Sequence, residues 1–573
     1  MASVAPVAVA PRSPQLLSPD QIMALRKALD RRLVDLEKQR LPWLYHWREI
    51  GKVILPRLGR WLAIANDPTR GTPKTQAIID STAGVSATRF ASGLMAGVTS
   101  PARPWFALTV PDQQRASAAA VKLWLDEVGK RISRVFAESN FYRSIAMLYQ
   151  EIALFGTGVM LISEDYHDVI RCYPLTAGEY FLAVDERLEP SALYRRFVMS
   201  VEQLVGQFGL AACSDQVQAL HRTGQIDTEV IVAHAIEHNS GRIEGAPGPK
   251  GMAWRETYWE LGTSCTGVLQ VKGYHERPFL AARWEVTAND VYGSSPGMTA
   301  LGQIKALQKA QLRKAQLVDQ LAMPHRVAPA VLAGERMLPG EISYVPQGQL
   351  NVEIKPSYVP HPSALSAVDA VVTEIQRRIK SIFFEDLFLM IDQLDTVRTA
   401  TEIAERKTEK MMMLGPALER LHDELLSPAV ERSFAIMLRG GLLPPPPAEL
   451  HGRFVGVEFI STMAQAQKAV ATTGIERLVA FIGNLAGALP TALDKLNVDE
   501  TIDEYGEALG VCPKVVNDDK QAQAIRQQRQ QQQQQQQALQ TSMAAVQGAQ
   551  GLSQTDVGGG QNALQMMLGR GGA

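Results

Sequence analysis

Apolar residues recur every three or four positions over much of the chain, a spacing typical of amphipathic helices. Near the start, Ser18 and Gln21 form a capping-box pattern around Pro19, which predicts a helix from there to about Arg40. Pro42 should end this helix, because an interior proline removes a backbone hydrogen bond and crowds the preceding turn. Further helices are predicted over 43–56, 78–98, 117–138, 142–155, 200–208, 399–413, from the Gly415-Pro416 break to 438, and over 461–511.

Between residues 157 and 290 the pattern changes to short apolar runs separated by turn residues, which is typical of strands. An isolated strand is also predicted earlier, at Trp105–Val110. Residues 1–290 therefore read as an α+β body. The predicted strands are Val159–Ile162, Val169–Tyr173, Tyr180–Val184, Tyr194–Met199, Glu229–His234, Arg255–Leu261, Val268–Gly273 and Leu280–Trp284.

A long helix follows this body without an interrupting Pro or Gly after Gly302. Ser294 or Ser295 can cap it, and Pro296 suits its first turn. About 25 residues at 1.5 Å each give a length of roughly 38 Å. Residues 325–362, rich in proline and short strand-like pieces, separate this helix from a second one, which starts at a Ser363 cap and reaches about Phe384. The pattern predicts a strut of two helices with a small β-containing tip.

The C-terminal part is polar and biased in composition. Gly440-Gly441 and Pro444–Pro447 predict a linker before the last helical segment. The run Gln530–Gln537 is compatible either with a polar helix that continues from Asp518 or with disorder. The Gly-rich residues 548–573 should be flexible.

Composition limits the classes of function. The 573 residues carry 58 basic and 59 acidic side chains, for a net charge of −1. This balance argues against a protein that grips nucleic acid through many phosphate contacts, but it suits a surface past which DNA slides. No apolar run approaches the roughly 18 residues of a membrane span, and the first 20 residues do not resemble a signal peptide. The four scattered cysteines indicate free thiols in a reducing compartment.

Two motifs suggest hydrolytic chemistry, and the sequence favours a structural explanation for both. His234, Glu237 and His238 match the H-x-x-E-H zinc pattern, but that pattern requires a helix and here follows a predicted strand. Gly293-Ser294-Ser295-Pro296-Gly297 matches the nucleophile elbow G-x-S-x-G. Pro296 has no N–H for the oxyanion hole, so a helix cap fits this serine better. A metal-dependent hydrolase using the first motif stays an alternative, although we expect no cofactor and no metal.

The strut helices also carry basic residues at helical spacing. Such a stripe is either a solvated face or, if copies surround an axis, part of a ring of charge that faces DNA. The residues concerned are Lys305, Lys309, Arg313 and Lys314 on the first helix and Arg377, Arg378 and Lys380 on the second.

Several sequence blocks together resemble one family. The stretch RPFLAARW…YGSSPGMTALGQIKALQKAQ, which starts at Arg277, resembles the portal, or head-to-tail connector, proteins of short-tailed bacteriophages. Four other blocks match in the same order, so the resemblance covers roughly 20–510. They are DSTAGVSATRFASGLMAGVTSPARPWFAL at 80–108, ALFGTGVMLI at 153–162, PLTAGEYFLAVDERLEPSALYRRFVMSVEQLVGQF at 174–208 and VRTATEIAERKTEKMMMLGPALERL at 397–421.

The resemblance implies a portal-like α+β subunit, with an α+β wing, a two-helix stem, a small β-containing clip and a helical C-terminal crown. A loop after the second stem helix would point into the channel, and its candidate DNA-facing acids are Glu385, Asp386, Asp392 and Asp395. The implied segments are the wing at 1–297 and 399–458, the stem helices at 298–324 and 363–384, the clip at 325–362, the channel loop at 385–398, the crown at 459–540 and a flexible Gly-rich tail at 541–573.

The family role implies a ring, dodecameric in the family, at one vertex of the capsid in the virion. Its implied partners are the terminase motor, tail adaptor proteins, and the major capsid and scaffolding proteins. Double-stranded DNA would pass through without sequence recognition, for packaging and for ejection, and no membrane would be bound. A capsid adaptor without a channel is the other non-enzymatic alternative.

Overall fold

The computed structural model describes the chain in stretches that together form two compact units, and each unit is taken by itself below. The first unit comprises Met1–Leu108, Val128–Pro445 and Val457–Ala464, and the second Thr109–Glu127, Pro446–Gly456 and Gln465–Ala573. The described residues are 18–56, 65, 78–110, 119–262, 267–324, 326–327, 355–356, 359–392, 415–450, 456–459, 474–485, 495–509, 516 and 519–554.

Helix α1 (Pro19–Val53) opens the described chain, and the predicted capping box forms: Ser18 Oγ accepts from Gln21 N–H, and the Gln21 side chain accepts from Ser18 N–H. The predicted break at Pro42 is wrong, since the helix continues through it. Pro42 lies on the exposed face, while Leu36 before it and Trp47 after it are buried. Packing on both sides of the proline therefore holds one helix together despite the missing hydrogen bond.

Three more helices precede the sheets, as the apolar spacing predicts. Four aromatic side chains of these helices have no exposed surface: Phe90, Phe136, Phe141 and Tyr149. These elements are α2 (Thr82–Gly97), strand β1 (Phe106–Thr109), α3 (Ala119–Glu138) and α4 (Phe141–Phe155).

All eight predicted strands form, within four residues of their expected ends, and they make two antiparallel sheets. One sheet has the order β3-β2-β9 and the other runs from β4 to β8 in sequence order. The strands are β2 (Thr157–Asp165), β3 (Val169–Leu175), β4 (Tyr180–Val184), β5 (Pro190–Ser200), β6 (Glu229–His238), β7 (Trp254–Glu260), β8 (Gln270–Tyr274) and β9 (Phe279–Arg283).

Helices cover both faces of the five-stranded sheet. Leu29 and Leu33 of α1 pack with Tyr194 and Trp259 on one face. On the other face, Val232 packs with two short helices, α5 (Val201–Phe208) and α6 (Asp215–Arg222). Because helices cover both faces of this sheet, both faces of its strands carry apolar residues, and apolar and polar residues do not alternate strictly.

The predicted strut forms as helix α7 (Pro296–Ala322) paired with helix α8 (Ser363–Ile382). Pro362, rather than Ser363, is the N-cap residue of α8, and it makes no side-chain cap bond. Of the predicted tip, the structure describes a short antiparallel pair between β10 (Arg326–Val327) and β11 (Lys355–Pro356). The remaining expected strands of that segment lie outside the described residues.

After the strut the chain forms α9 (Glu385–Asp392) and later returns to the body through a helical segment with an unusual middle turn. This segment consists of α10 (Gly415–Leu421), a π-helical turn at His422–Leu426, and α11 (Ser427–Arg439). Strand β12 (Gly456–Phe459) then pairs with β1. The predicted helix at 399–413 lies outside the described residues.

The second unit is helical where it is described after residue 470. Its helices are α12 over 474–485, α13 (Val498–Leu509) and α14 (Asp519–Gln554). The glutamine run is therefore part of a helix, as in the first of the two options. The predicted boundary at 540 is wrong, because helix α14 continues to Gln554. None of the helices in the described ranges is both long and apolar enough to cross a membrane.

Candidate functional site

The root of the strut is held by three glycines whose backbones approach the body closely. A Cβ atom at Gly156 would lie 2.1 Å from the Gly293 carbonyl oxygen, and one at Gly293 would lie 2.4 Å from the Gly156 oxygen. Gly156 also has φ of +72°, a conformation that favours glycine. At the first turn of α7, a Cβ atom at Gly297 would lie 3.0 Å from the Ala153 oxygen. Two of the sequence blocks, ALFGTGVMLI and YGSSPG, thus meet here.

Ser295 performs the capping role that its sequence context predicts. Its Oγ accepts from Met298 N–H at 2.9 Å and donates to the Leu154 carbonyl at 2.7 Å. The side chain is buried, and Pro296 occupies the first turn of the helix. Both capacities of the hydroxyl are used in holding the helix to the body, so this serine is not available as a nucleophile.

Tyr292, next to this root, fixes it to α1 and β4. Its hydroxyl accepts from Leu182 N–H at 3.1 Å, and its ring packs edge-on against Trp47 with centroids 5.1 Å apart. Trp47 in turn donates to the Phe155 carbonyl. Burial raises the pKa of Tyr292 to about 12, so the hydroxyl stays protonated at neutral pH.

Asp80 clamps the two strut helices together above this root. Its carboxylate accepts from Gln311 Nε2 on α7 and from Gln376 Nε2 on α8, each at 2.8 Å. Burial opposes ionisation of Asp80, but hydrogen bonds from Thr82 and the two glutamines keep its pKa below the usual value. Lys314 and Asp369 form an ion pair farther along. Since the later residue of α7 meets the earlier residue of α8, the helices run antiparallel.

The basic residues of the strut divide into paired and unpaired groups. Lys305 pairs with Glu49 and Lys314 with Asp369, while Arg377 and Arg378 share Glu374. These hydrogen bonds lower the pKa of Glu374, so its negative charge persists. In the described stretches, three of the predicted cations have no ion-pair partner and are exposed: Lys309, Arg313 and Lys380.

The predicted channel loop differs from expectation at its start. Residues 385–392 form helix α9, not a loop, and Glu385 is only 2% exposed. Its carboxylate accepts from Ser86 Oγ at 2.8 Å and pairs with Arg89 on α2. This placement is at odds with a DNA-facing role for Glu385, because its carboxylate is buried and pairs with Arg89 of the same subunit. Asp386 is exposed. The side chain of Asp392 and all of Asp395 lie outside the described residues.

The apolar residues of α9 explain why this segment is helical. Phe388 is buried against Phe90 of α2, with ring centroids 5.7 Å apart, and lies over Gly93. Phe384 makes the turn between α8 and α9 with φ of +55°, and its ring contacts Trp284. The small-residue surface of α2 is the docking surface of α9.

Sequence reasoning missed Arg89, which anchors α9, although one signal was present. Arg89 is the single charged residue in α2, whose other residues are mostly small or apolar. A lone charge on such a helix requires a partner if the helix packs against another element. Its exposed fraction is 49%, whereas the Glu385 side chain is 3% exposed, so the buried member of the pair is the acid.

The H-x-x-E-H motif lies on strand β6, where the metal geometry cannot form. His234 and His238 are four strand residues apart, which is roughly 13 Å. His234 is fully buried, bonds Glu256 through Nε2 at 2.8 Å, and has its pKa lowered by burial. Glu237 accepts from the Tyr194 hydroxyl and pairs with Arg255. In the part of the chain that the structure describes, no three His, Cys, Asp or Glu side chains are grouped to hold a metal ion.

Comparisons with known proteins agree with the blocks described above. The family model for the bacteriophage head to tail connecting protein matches residues 26–516. The portal protein of Salmonella phage epsilon15 is 40% identical over 534 residues, covering 92% of this chain and 96% of that protein. The probable portal protein of Bordetella phage BPP-1 is 39% identical over 506 residues, covering 88% of this chain and 91% of that protein.

Solved structures with a partial likeness come from gene transfer agent (GTA) particles. A chain in the virion of the native particle is 12% identical with a TM-score of 0.34, covering 77% of this chain and 96% of that chain. A chain in the neck of the native particle, computed with C12 symmetry, has the same identity and TM-score and covers 80% of this chain and 98% of that one.

Proposed function

Because this chain belongs to the bacteriophage head-to-tail connecting proteins and is similar over most of its length to portal proteins, we propose that its copies form a ring at one capsid vertex. DNA enters and leaves the capsid through the centre of the ring. The strut of α7 and α8 forms the wall of the channel. The tip, residues 325–362, docks the terminase motor and later the tail adaptor proteins. The major capsid and scaffolding proteins hold the ring in the shell, and twelve copies are expected from the family.

The observation that carries this proposal is the clamped antiparallel strut. A pair of helices about 30–40 Å long that is rooted in the body by Gly156, Gly293 and Gly297 is rigid at its base. Apolar side chains of both strut helices are partly exposed, such as Leu312 at 46% and Val371 at 55%. Neighbouring copies would cover them.

The charge pattern of the strut suits passage of DNA rather than binding. Glu49 and Asp369 neutralise Lys305 and Lys314, and Glu374 offsets one of the two charges of Arg377 and Arg378. Three of the predicted cations on the described part of the strut have no ion-pair partner. We propose that the unpaired Lys309, Arg313 and Lys380 are those that approach DNA. Radial repetition then gives a weak, evenly spaced attraction that would not hold the DNA at one register.

Two alternative functions have less support. A zinc hydrolase needs both histidines of the motif on one metal, but His234 is occupied by Glu256 and lies roughly 13 Å along the strand from His238. A capsid adaptor without a channel would also account for an assembly role, and it differs from the proposed function in particle shape.

Negative-stain imaging of the purified full-length protein tests the proposal. Rings with a central hole are expected, and particles that stay monomeric under capsid-assembly conditions would overturn it. Solid particles would favour the adaptor without a channel. Stoichiometric zinc that is lost on His238→Ala would favour the hydrolase. Deletion of 330–358 should leave folded rings that no longer bind motor or adaptor; docking that survives the deletion would refute the assignment of the tip.

A further inference from the structure

One edge of the five-stranded sheet is left open. The three-stranded and five-stranded sheets together have four edge strands, and side chains bond the backbone of three of them. Asn140 bonds an N–H and a carbonyl of β3, Tyr292 accepts from an N–H of β4, and Glu424 accepts from an N–H of β9. Strand β8 pairs with β7 alone, and among the described residues no side chain bonds its backbone. An unpaired edge of this kind is a template for a further strand.

Helix α1 crosses this sheet from its open edge. Arg26 donates to the carbonyls of Glu260, at the end of β7, and Gly267, just before β8, at 2.8 and 2.9 Å. Arg40 donates to the Tyr180 carbonyl, at the start of β4, at 2.6 Å. The helix rises about 21 Å from Arg26 to Arg40, and β8 lies four strand spacings, or about 19 Å, from β4. Helix α1 therefore runs from the β8 edge to the β4 edge.

The start of α1 projects past the open edge. The helix begins at Pro19, which places about 10 Å of it before Arg26. Two strand spacings cover the same distance. Ile22 lies on the same side of the helix as Leu29, but Ile22 is only partly buried, whereas Leu29 is 2% exposed. The side of α1 that faces the sheet is therefore incompletely covered where the helix passes β8.

The chain that precedes α1 has the sequence pattern of an edge strand. Residues 1–17 lie outside the described residues, and they contain Val7-Ala8-Val9-Ala10 between Pro6 and Pro11. Larger and smaller apolar residues alternate here with a period of two, and prolines are tolerated on edge strands and at strand starts. Residues 11–17 span up to about 23 Å when extended, which is enough to return beneath the first turns of α1.

We propose that Val7–Ala10 adds to the outer edge of β8 as a sixth strand, beneath the start of α1 of the same subunit. Val7 and Val9 then face Ile22 and Leu25, and the two alanines face the opposite side of the sheet. The chain's own arm is the occupant because α1 begins at this edge, so a seven-residue connection holds the arm close to it. The added strand closes an edge that would otherwise be free to pair with other chains.

Hydrogen exchange in the full-length protein tests the proposal. A variant that lacks residues 2–10 is compared with the parent protein. Amides of 270–274 should exchange at least tenfold faster in the variant, because removal of the arm exposes the outer edge of β8. Strand β4, at 180–184, is the internal control and should exchange at the same rate in both proteins. Unchanged exchange in 270–274 would overturn the proposal.

Two variants of equal charge test whether the arm pairs as a strand. Val7→Asp with Val9→Asp places two carboxylates against the apolar side of α1, and exchange in 270–274 should rise as it does in the deletion. Ala8→Asp with Ala10→Asp is the matched control, because its carboxylates point away from α1, and its exchange should stay near that of the parent. Equal exchange in the two variants would refute the alternating contact.

Mixed assembly distinguishes the chain's own arm from that of another copy. Isotope-labelled parent protein is co-assembled with a tenfold excess of the variant that lacks residues 2–10. Labelled 270–274 should stay as protected as in the unmixed parent, and a loss of protection would show that another copy donates the arm. This inference does not depend on the ring: an absence of rings in electron micrographs would refute the proposed function and leave the exchange result standing.

Discussion

The guanidinium group of Arg283 and the carboxylate of Glu424 form a buried ion pair between residues that are 141 positions apart in the chain. Arg283 ends strand β9, and Glu424 lies in the π-helical turn. The backbone N–H of Arg283 also donates to Glu424 at 2.9 Å, and its side chain donates to the Leu188 carbonyl. This pair fastens the returning C-terminal part of the body to the strand that leads into the strut.

We expect Glu424→Ala to be strongly destabilising. The Arg283 side chain is 4% exposed, and loss of the carboxylate leaves its charge buried without compensation. Such a change costs about 3–5 kcal/mol, which should appear as a lower thermal midpoint. Glu164→Ala is the control, because that glutamate is 56% exposed in its pair with Arg439, and exposed pairs contribute about 0–1 kcal/mol. Equal effects of the two variants would show that the buried pair is not a stabilising contact.

We expect Gly93→Ala to displace α9 from α2. The new Cβ atom would lie 2.2 Å from Phe388 Cγ, so the aromatic ring must move. Overpacking of this kind costs roughly 1–3 kcal/mol, and proteolysis within 385–392 should become faster. Gly97→Ala on the same helix meets no atom within 4 Å and should be neutral or stabilising by up to about 1 kcal/mol. Adding Phe388→Ala should relieve the clash; if cleavage is as slow in Gly93→Ala as in the parent protein, the contact is not tight.

Glu151 makes the stability of the body depend on pH. Burial raises its pKa to about 8, with the nearby Glu179 adding to the effect, although Ala177 N–H donates to its carboxylate. Because the pKa in the folded state is above the unfolded value, the folded protein binds the proton more tightly. The protonated Glu151 side chain therefore contributes its full stabilisation below about pH 4.5, and this stabilisation is lost as the pH rises toward 8.

Glu151→Gln tests this assignment, since a neutral amide cannot ionise and its oxygen can still accept from Ala177. The variant should gain thermal stability relative to the parent protein as pH rises from 5 to about 8, by up to a few kcal/mol. Glu164→Gln, which changes an exposed acid of the neighbouring strand β2, is the control and should show no such trend. Parallel pH profiles for the parent protein and Glu151→Gln would contradict the raised pKa.

Unpaired and paired cations of the strut should differ in their effect on DNA. In purified rings, Lys309→Gln with Arg313→Gln should weaken binding of short linear duplex DNA. In a plot of the logarithm of the binding constant against the logarithm of salt concentration, the slope should become shallower by roughly 0.9 for each phosphate contact removed. Lys305→Gln should have a smaller effect, because Glu49 already neutralises Lys305. The proposed DNA-facing assignment fails if Lys305→Gln weakens DNA binding as much as the double variant does.

Local pattern was sufficient for the strands and for the root of the strut. Short apolar runs and turn residues identified the eight sheet strands. The serines before Pro296 predicted a cap at Ser294 or Ser295, and the structure uses Ser295. Pro42 was misjudged because its effect depends on packing on either side of it, which includes buried Trp47 and is not local. A local rule gives the cost of an interior proline but not the tertiary contacts that offset that cost.

The candidate site was predicted less well, since its charges have distant partners. Spacing alone correctly placed Lys305, Lys309 and Arg313 on an exposed helix. It could not show that Glu49 neutralises the first of them, because the two residues lie on different helices. Glu385 was misplaced for the same reason: its partner Arg89 is almost 300 residues earlier in the chain.

The glycines at the root of α7 restrict how the direction of this helix can change. A helix about 40 Å long acts as a lever, so a displacement of a fraction of an ångström at Gly156, Gly293 or Gly297 would be multiplied at its far end. The direction of the helix is therefore fixed at a root that has no room for a larger side chain. In the proposed ring, a change in channel width would have to come from the far end of the helix or from its length.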